Sequence, residues 1–232
     1  VRQRALLPFG YETDTIRNVV DIRVYSIERE LLGSPDLVRW AYGLLSRSQT
    51  MGLCPPDVAE RTHLDLALLD ELATCLQHAG VASAAAARLH AGIAGGRTAR
   101  VAADDLRAVV EALDASPMPG GEWRPARELL GDELLARLVG GVSQSSLHRY
   151  AGGTRETPDD VAWRLHVVAR LLAALLGSYN AYGVRRWFER RRTALDGLAP
   201  VQVLETARNE DDELLLAAIA LADDLTGAGP AA

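Results

Sequence analysis

The stretch TPDDVAWRLHVVARLLAALLG, residues 157–177, constrains this chain more than any other segment. Thr157 is suited to cap a helix, Pro158 fits a first turn, and Asp159 and Asp160 complement the positive end of the helix dipole. Val161, Leu165, Val168, Leu172 and Leu175 then form a heptad-like apolar stripe that Gly177 ends. A stripe of that length is stable only when other elements cover it, so the surrounding sequence must supply partners.

The surrounding sequence supplies helices. Leu and Ala dominate, aromatic residues make up 5% and β-branched runs are few, a balance that favours helix over sheet. Apolar spacing predicts a helix over about 14–32, closed by Gly33. Ser34-Pro35-Asp36 restarts one, with Leu37, Trp40, Ala41, Leu44 and Leu45 on its apolar face, and Cys54-Pro55-Pro56 breaks the chain again. Further helices are expected over 62–78, 82–91 and 102–113. Ser116-Pro-Met-Pro-Gly-Gly121 carries two Pro and two Gly in six residues, the strongest linker signal in the chain. Beyond it, helices are expected over 127–139, 143–151, 157–177, 179–190, about 199–206 and 211–224. The expected fold class is therefore all-α: two helical units, with residues 1–116 first, 117–121 as linker, and 122–232 second.

The second unit contains a helix, a Gly140-Gly141 turn and a short polar helix, the pattern of a helix-turn-helix. Leu134, Leu135, Leu138 and Val142 supply a bracing face, and Leu147 with Tyr150 anchors the second helix from inside. Its outer side carries Ser143, Gln144, Ser145, Ser146, His148 and Arg149. Gln suits an adenine edge, Arg suits guanine or phosphate, and Ser with backbone N–H groups at a helix start suits phosphate. Arg155 in the next loop, with Arg164 and Arg170 on the long helix, would add phosphate contacts. One Arg on the short helix gives a monomer little affinity, so a homodimer on a two-fold operator is expected. The same pattern also suits an ordinary αα-hairpin with a polar solvent face. A faint echo relates AGVASAAAARLHAG (79–92) to GGVSQSSLHRYAGG (140–153), with Ala in the first copy where the second is polar.

Charge is uneven. The net charge is −6, and every basic residue is Arg. Residues 121–208 hold 13 Arg against 10 acidic residues, whereas residues 209–232 hold six acidic residues and no basic one. This excludes a uniformly basic nucleic-acid coat but permits a local site. RRWFERRRTALDGLAP (185–200) places five arginines around Trp187-Phe188, ahead of a Leu195-Asp196-Gly197 turn and a helix opened by Pro200.

From about Leu129 to Leu225 the chain resembles the Xre/MbcA/ParS-type antitoxins. The features that carry the resemblance occur in order: VSQSSLHRY in the recognition position, the long Arg-Leu helix TPDDVAWRLHVVARLLAALLGS, and YNAYGVRRWFERRRTALDGLAPVQVLE. The last is similar to the family's Trp-hydrophobe, Ala-Leu-x-Gly, x-Pro-x-x-x-Leu core, here Trp187, Phe188, Ala194, Leu195, Gly197, Pro200 and Leu204. Arg191-Arg192 stands where the family commonly has Pro-Asn, and Gln202 replaces an acidic residue. Ala199 replaces a capping Ser or Thr, a loss of roughly 1 kcal/mol. The resemblance implies an Xre-like helix-turn-helix segment over 122–178 and a toxin-binding domain over 179–232. It also implies a cognate protein toxin, most often a RES-type NAD-consuming enzyme, and repression of the shared operon through operator DNA. Trp187, Arg191, Arg192, Asp211, Asp212 and Glu213 are the expected toxin-binding residues, with the tail 226–232 as a further candidate. The alternative is a stand-alone helix-turn-helix regulator whose N-terminal helices sense a ligand or form the dimer.

Other chemistry lacks support. Cys75 and His78 lie one helical turn apart and His90 lies further on, but a metal site needs a fourth ligand. No phosphate-binding or dinucleotide fingerprint is present, and no Ser/His/Asp or Cys/His set has local support. An enzyme is not expected, nor is a cofactor. Cys54 and Cys75 make no disulfide framework and no apolar run approaches a membrane span, so a cytoplasmic location without membrane contact is expected.

Overall fold

The computed structural model describes residues 24, 26–54, 61–95 and 101–226. Eleven α-helices occur among the described residues: α1 Pro35–Thr50, α2 Leu66–Ala79, α3 Ser83–Ala94, α4 Ala103–Asp114, α5 Pro119–Leu130, α6 Asp132–Leu138, α7 Gln144–Ala151, α8 Asp159–Leu175, α9 Ala181–Glu189, α10 Pro200–Thr206 and α11 Glu213–Asp223. The fold is all-α, with one exception. Ser26–Ile27 and His63–Leu64 form two-residue strands, β1 and β2, paired in parallel. The helix expected over 14–32 is therefore corrected in its described part, where β1 is followed by a 3-10 turn at Leu31–Gly33. Most of its remaining length lies outside the described residues, as does the tail from 227 onward.

Helix α8 is the centre of the molecule. The expected stripe is buried, but so are His166, Val167, Ala169, Leu171, Ala173 and Ala174. Burial on every side follows from its neighbours, since α1, α5, α6 and α11 all pack against it. Pro158, not Thr157, occupies its cap position. The Thr157 hydroxyl instead accepts from Trp123 Nε1 at 3.0 Å, a tertiary hydrogen bond in place of a helix cap. Ser34 likewise makes no side-chain cap on α1. Asp65, in contrast, caps α2 by accepting from Leu68 N–H at 2.7 Å, and the same helix end receives the Glu28 carboxylate on Leu66 N–H.

The buried side chains form two clusters. One runs from Leu31 to Leu113 and also takes Ala169 of α8. The other runs from Trp123 to Ala222. The segment between them is not the open linker expected over 117–121. Pro119–Gly121 is the first turn of α5, and it crosses the end of α1 at backbone contact. A Cβ on Gly121 would lie 2.2 Å from the Met51 carbonyl oxygen, and one on Gly52 would lie 2.5 Å from the Gly121 oxygen. The glycines are there because nothing larger lets these two segments cross. The helix expected over 127–139 is also divided: Gly131, at φ 76°, ends α5 and α6 follows at once.

Beside that crossing lies a buried ion pair. His166 and Glu122 are 1% and 0% exposed. His166 Nδ1 is 2.6 Å from Glu122 Oε1, and His166 Nε2 donates to the Asp114 carbonyl at 3.0 Å. A ring whose two nitrogens both face acceptors is best served as imidazolium, which donates from both. Burial works against that charge, but the Glu122 hydrogen bond and charge outweigh it and hold His166 above its ordinary value. The pair joins α5, α8 and the end of α4.

Candidate nucleic-acid interface

Residues 132–151 fold as the expected hairpin. Helix α6 buries Leu134, Leu135 and Leu138, and Val139 is buried just beyond it. The chain then reverses through Gly140 and Gly141 at φ 96° and 73°, a left-handed pair that L side chains resist. Ser143 is extended and accepts from Ser146 N–H at 3.2 Å, so it caps α7 as its sequence position suggests. Leu147 and Tyr150 are the buried residues of α7.

The anchoring is stronger than the hairpin alone would give. Tyr150 stacks on Trp123 of α5 with ring centroids 6.1 Å apart and planes at 22°. On Tyr150 itself sits the Arg155 guanidinium, 5.3 Å from the ring centroid. Trp123 is buried and tied to Thr157, so the column fixes α7 to the core. A second brace lies at the other end of the face. Arg127 donates to both oxygens of Asp132, at 2.8 and 3.1 Å, and His148 Nε2 lies 2.8 Å from the same carboxylate. The Arg127 hydrogen bond is the chief reason that Asp132 stays below the usual carboxylate range. Sequence reasoning missed Trp123, Arg127 and Asp132. Trp123 lay between the expected linker and the helix expected from 127, where no element was assigned, and no local pattern announces an Arg–Asp–His bridge between three helices.

The outward face of α7 divides accordingly. Gln144, Ser145 and Arg149 are exposed, and Arg149 donates through Nε to the Ser145 carbonyl. Ser143 and Ser146 share a hydroxyl–hydroxyl contact at the helix start. His148 is exposed at its edge but is engaged by Asp132, so it acts as a strut between helices. Arg155 is exposed beside the same face. The face is not strongly basic: Glu156, Asp159 and Asp160 are exposed just after Arg155.

Two expected phosphate contacts are corrected. Arg164 points its guanidinium to the carbonyls of Leu204 and Ala207, the latter at 2.6 Å, and stacks over Trp163 at 4.4 Å. It closes the C-terminal end of α10, where a cation suits both the free carbonyls and the helix dipole. Arg170 is partly buried, with Nε 3.5 Å from Asp114 Oδ1.

The residues expected to meet a toxin do not form one exposed set. Trp187 is 3% exposed and packs edge-on against Phe188 at 5.2 Å, so its ring belongs to the core and is no contact surface. Arg192 lies over that ring at 4.9 Å, and burial holds its guanidinium below its ordinary range. Arg191 is exposed. The turn predicted at Leu195-Asp196-Gly197 is present, with Asp196 at φ 54° and Gly197 at φ 78°. Without a capping hydroxyl at Ala199, the Gln202 side chain reaches back to accept from Ala199 N–H at 3.0 Å, which restores half of the helix start. Asp212 accepts from Leu214 and Leu215 N–H and so caps α11. Asp211 and Glu213 remain exposed on either side of it.

Among the described residues no helix is long and apolar enough to cross a membrane. Compared with protein-family models, curated proteins and solved structures, the chain matches none of them.

Proposed function

We propose that this chain is a DNA-binding antitoxin, a repressor that reads its operator through α7 and holds a cognate protein toxin through its C-terminal helices. The observation that carries the reading is the division of α7. Leu147 and Tyr150 lock one side to the core, while Gln144, Ser145 and Arg149 stand exposed on the other. Gln144 serves as the adenine reader, Arg149 as the guanine or phosphate contact, and the Ser143–Ser146 helix start with Arg155 positions the backbone. With so few cations on this face, binding requires a homodimer on a two-fold site.

The antitoxin half rests on the resemblance over 129–225. It is supported by the exposure of Arg191 next to the Asp196–Gly197 turn, and of Asp211 and Glu213 at the start of α11. These charged rims flank a domain held together by Trp187 and Phe188. A RES-type NAD-consuming enzyme is the proposed partner class.

The test is co-expression with the product of the neighbouring reading frame. Growth rescue, lost on the charge reversals Arg191→Glu and Asp211→Arg with Glu213→Arg, supports the proposal. A chain that retains its own upstream DNA but rescues no neighbour's toxicity is the stand-alone regulator instead. A chain that does neither is an αα-hairpin protein of another kind.

A further inference from the structure

Several partly buried arginines of this fold meet acceptors. Arg47 and Arg127 each place Nε and Nη2 on the two oxygens of an aspartate, and Arg164 and Arg185 bond main-chain carbonyls. Arg192 differs. It is half-buried, yet its guanidinium has no hydrogen-bond or ion-pair partner among the described residues, and its Nε–H is covered from solvent. Beneath it lies Trp187, 3% exposed, whose indole N–H is likewise buried without an acceptor. The guanidinium sits 4.9 Å from the centroid of that ring. The stack offsets part of the cost of a half-buried charge and leaves both N–H groups unmet. No carboxylate answers the charge. Burial is the chief influence on Arg192, and only Tyr179 and Arg190 act beside it. Of the acids nearest in sequence, Glu189 faces Arg186 at 3.7 Å and Asp196 stands exposed at the turn. The side chain is not needed to shape the loop, because the backbone of Arg192 does that. Its N–H donates to the Leu198 carbonyl at 3.0 Å, and its carbonyl accepts from Leu195 N–H at 3.1 Å and Gly197 N–H at 3.0 Å. The loop thus holds an unpaired cation in a fixed place.

Two buried N–H groups without acceptors, beside one unpaired guanidinium, call for an anion rich in oxygen. A carboxylate would meet the fork of one guanidinium and no more. Arg190 is exposed, has no ion-pair partner among the described residues and adds a second positive charge beside Arg192, so a dianion matches the charge better than a monoanion. A tetrahedral set of oxygens also meets donors that do not share one plane. The Tyr179 ring offers an aromatic face close by for the organic part of an ester. It is 37% exposed and lies against Gly183, where a Cβ would come within 2.9 Å of its Cδ1. We propose that Arg192, with Arg190 and Trp187, forms a binding site for a phosphate monoester. The Nε–Nη edge of Arg192 takes two phosphate oxygens, as Arg47 and Arg127 take the two oxygens of their aspartates. Turning that edge outward lifts the guanidinium from the indole and frees the Trp187 N–H as a further donor. The inference needs neither operator reading by α7 nor a toxin, and stands apart from the proposed function.

Calorimetric titration of the full chain in phosphate-free buffer, with inorganic phosphate and separately with adenosine 5′-monophosphate, tests it. At least one of the two should bind saturably, raise the melting temperature and change the tryptophan emission. Equal affinity for both means that the phosphate alone is recognised, and tighter binding of the nucleotide assigns the Tyr179 face to the ester. Acetate at the same ionic strength should bind at least about tenfold more weakly, the equivalent of 1.4 kcal/mol. Arg192→Met should weaken phosphate binding at least about tenfold. Because it removes an unpaired, half-buried charge, it should melt no lower than the wild type. Should that variant fail to fold, Arg192→Lys takes its place, since it keeps the charge without the fork and should weaken binding partially. Arg208→Ala, which removes an exposed arginine elsewhere, should leave the affinity unchanged. Absence of saturable binding by both probes, acetate binding as tight as phosphate, wild-type affinity in the folded Arg192 variant, or an equal loss in Arg208→Ala would overturn the proposal.

Discussion

Replacing Glu122 by Leu is the most revealing perturbation of the fold. The carboxylate is completely buried, lies 2.6 Å from His166 Nδ1 and accepts from Met118 N–H at 3.2 Å. Removing one partner of a buried pair costs about 3–5 kcal/mol, because the other charge is left without compensation. At about 2–4 °C per kcal/mol for a chain of this size, the melting temperature should fall by roughly 6–20 °C. The pH dependence gives the sharper signature. In the wild type the His166 pKa is raised, so the folded state holds a proton that the unfolded state releases first. That stabilisation is complete below the unfolded value of about 6.5 and is lost as pH rises through the folded value, with a slope of at most about 1.4 kcal/mol per pH unit. In Glu122→Leu the largest remaining influence on His166 is burial, which lowers its pKa and makes the variant weakest on the acid side. The stability gap between the two proteins should therefore shrink steadily from pH 5.5 toward pH 8.5. Urea unfolding followed by circular dichroism across that range measures it, and contributions from other groups cancel in the difference. The double variant Glu122→Leu with His166→Leu should regain most of the loss. A single-variant cost under about 1 kcal/mol, or a gap that does not change with pH, would refute the reasoning.

Further consequences concern the crossing, the reassigned arginine and the interface. Gly121→Ala should cost at least the 1–3 kcal/mol typical of overpacking, about 3 kcal/mol here because the clash is with backbone, whereas Gly120→Ala, with nothing within 4 Å of its Cβ, should be near neutral; thermal melts distinguish the two. Arg164→Met should lower stability by about 1.5–3 kcal/mol through the lost bonds to the α10 carbonyls. It should leave the DNA affinity of the folded fraction unchanged, and a drop there would return Arg164 to phosphate contact. Arg155→Ala should make the salt dependence of DNA binding shallower by about 1.8 in log K against log salt, for two protomers each losing one phosphate contact; fluorescence anisotropy at several salt concentrations measures the slope.

Much of the fold was legible from local signals. The left-handed Gly140–Gly141 turn, the Ser143 cap, the buried side of α7 and the Asp196–Gly197 reversal all follow from residues within one or two turns of each other. What escaped depends on distance along the chain. Thr157 looked like a cap and became the acceptor for Trp123, 34 residues away. Arg164 looked like a phosphate contact and became the cap of α10, 40 residues on. The Pro-Gly run looked like a linker because its composition is the same whether a chain must bend freely or cross another at backbone contact; only Met51 and Gly52 opposite Gly121 distinguish the cases. The β1 segment has helical apolar spacing but pairs with residues near 63, a register that no local pattern encodes. Within the candidate interface, the polar face of α7 was readable, but the engagement of His148 by Asp132 was not, since it depends on how α6 and α7 cross.

The central claim is that the exposed side of α7 reads DNA sequence. Binding of the protein to its own upstream DNA and to a scrambled fragment of equal length, at one fixed near-physiological salt concentration, tests it directly. The account predicts at least about a thousandfold preference for the upstream fragment. It also predicts that Gln144→Ala with Arg149→Ala, two exposed positions whose loss leaves the Leu147 and Tyr150 anchors in place, removes most of that preference without changing circular dichroism. Equal binding to both fragments by the wild type, or a preference that survives the double substitution, would contradict it.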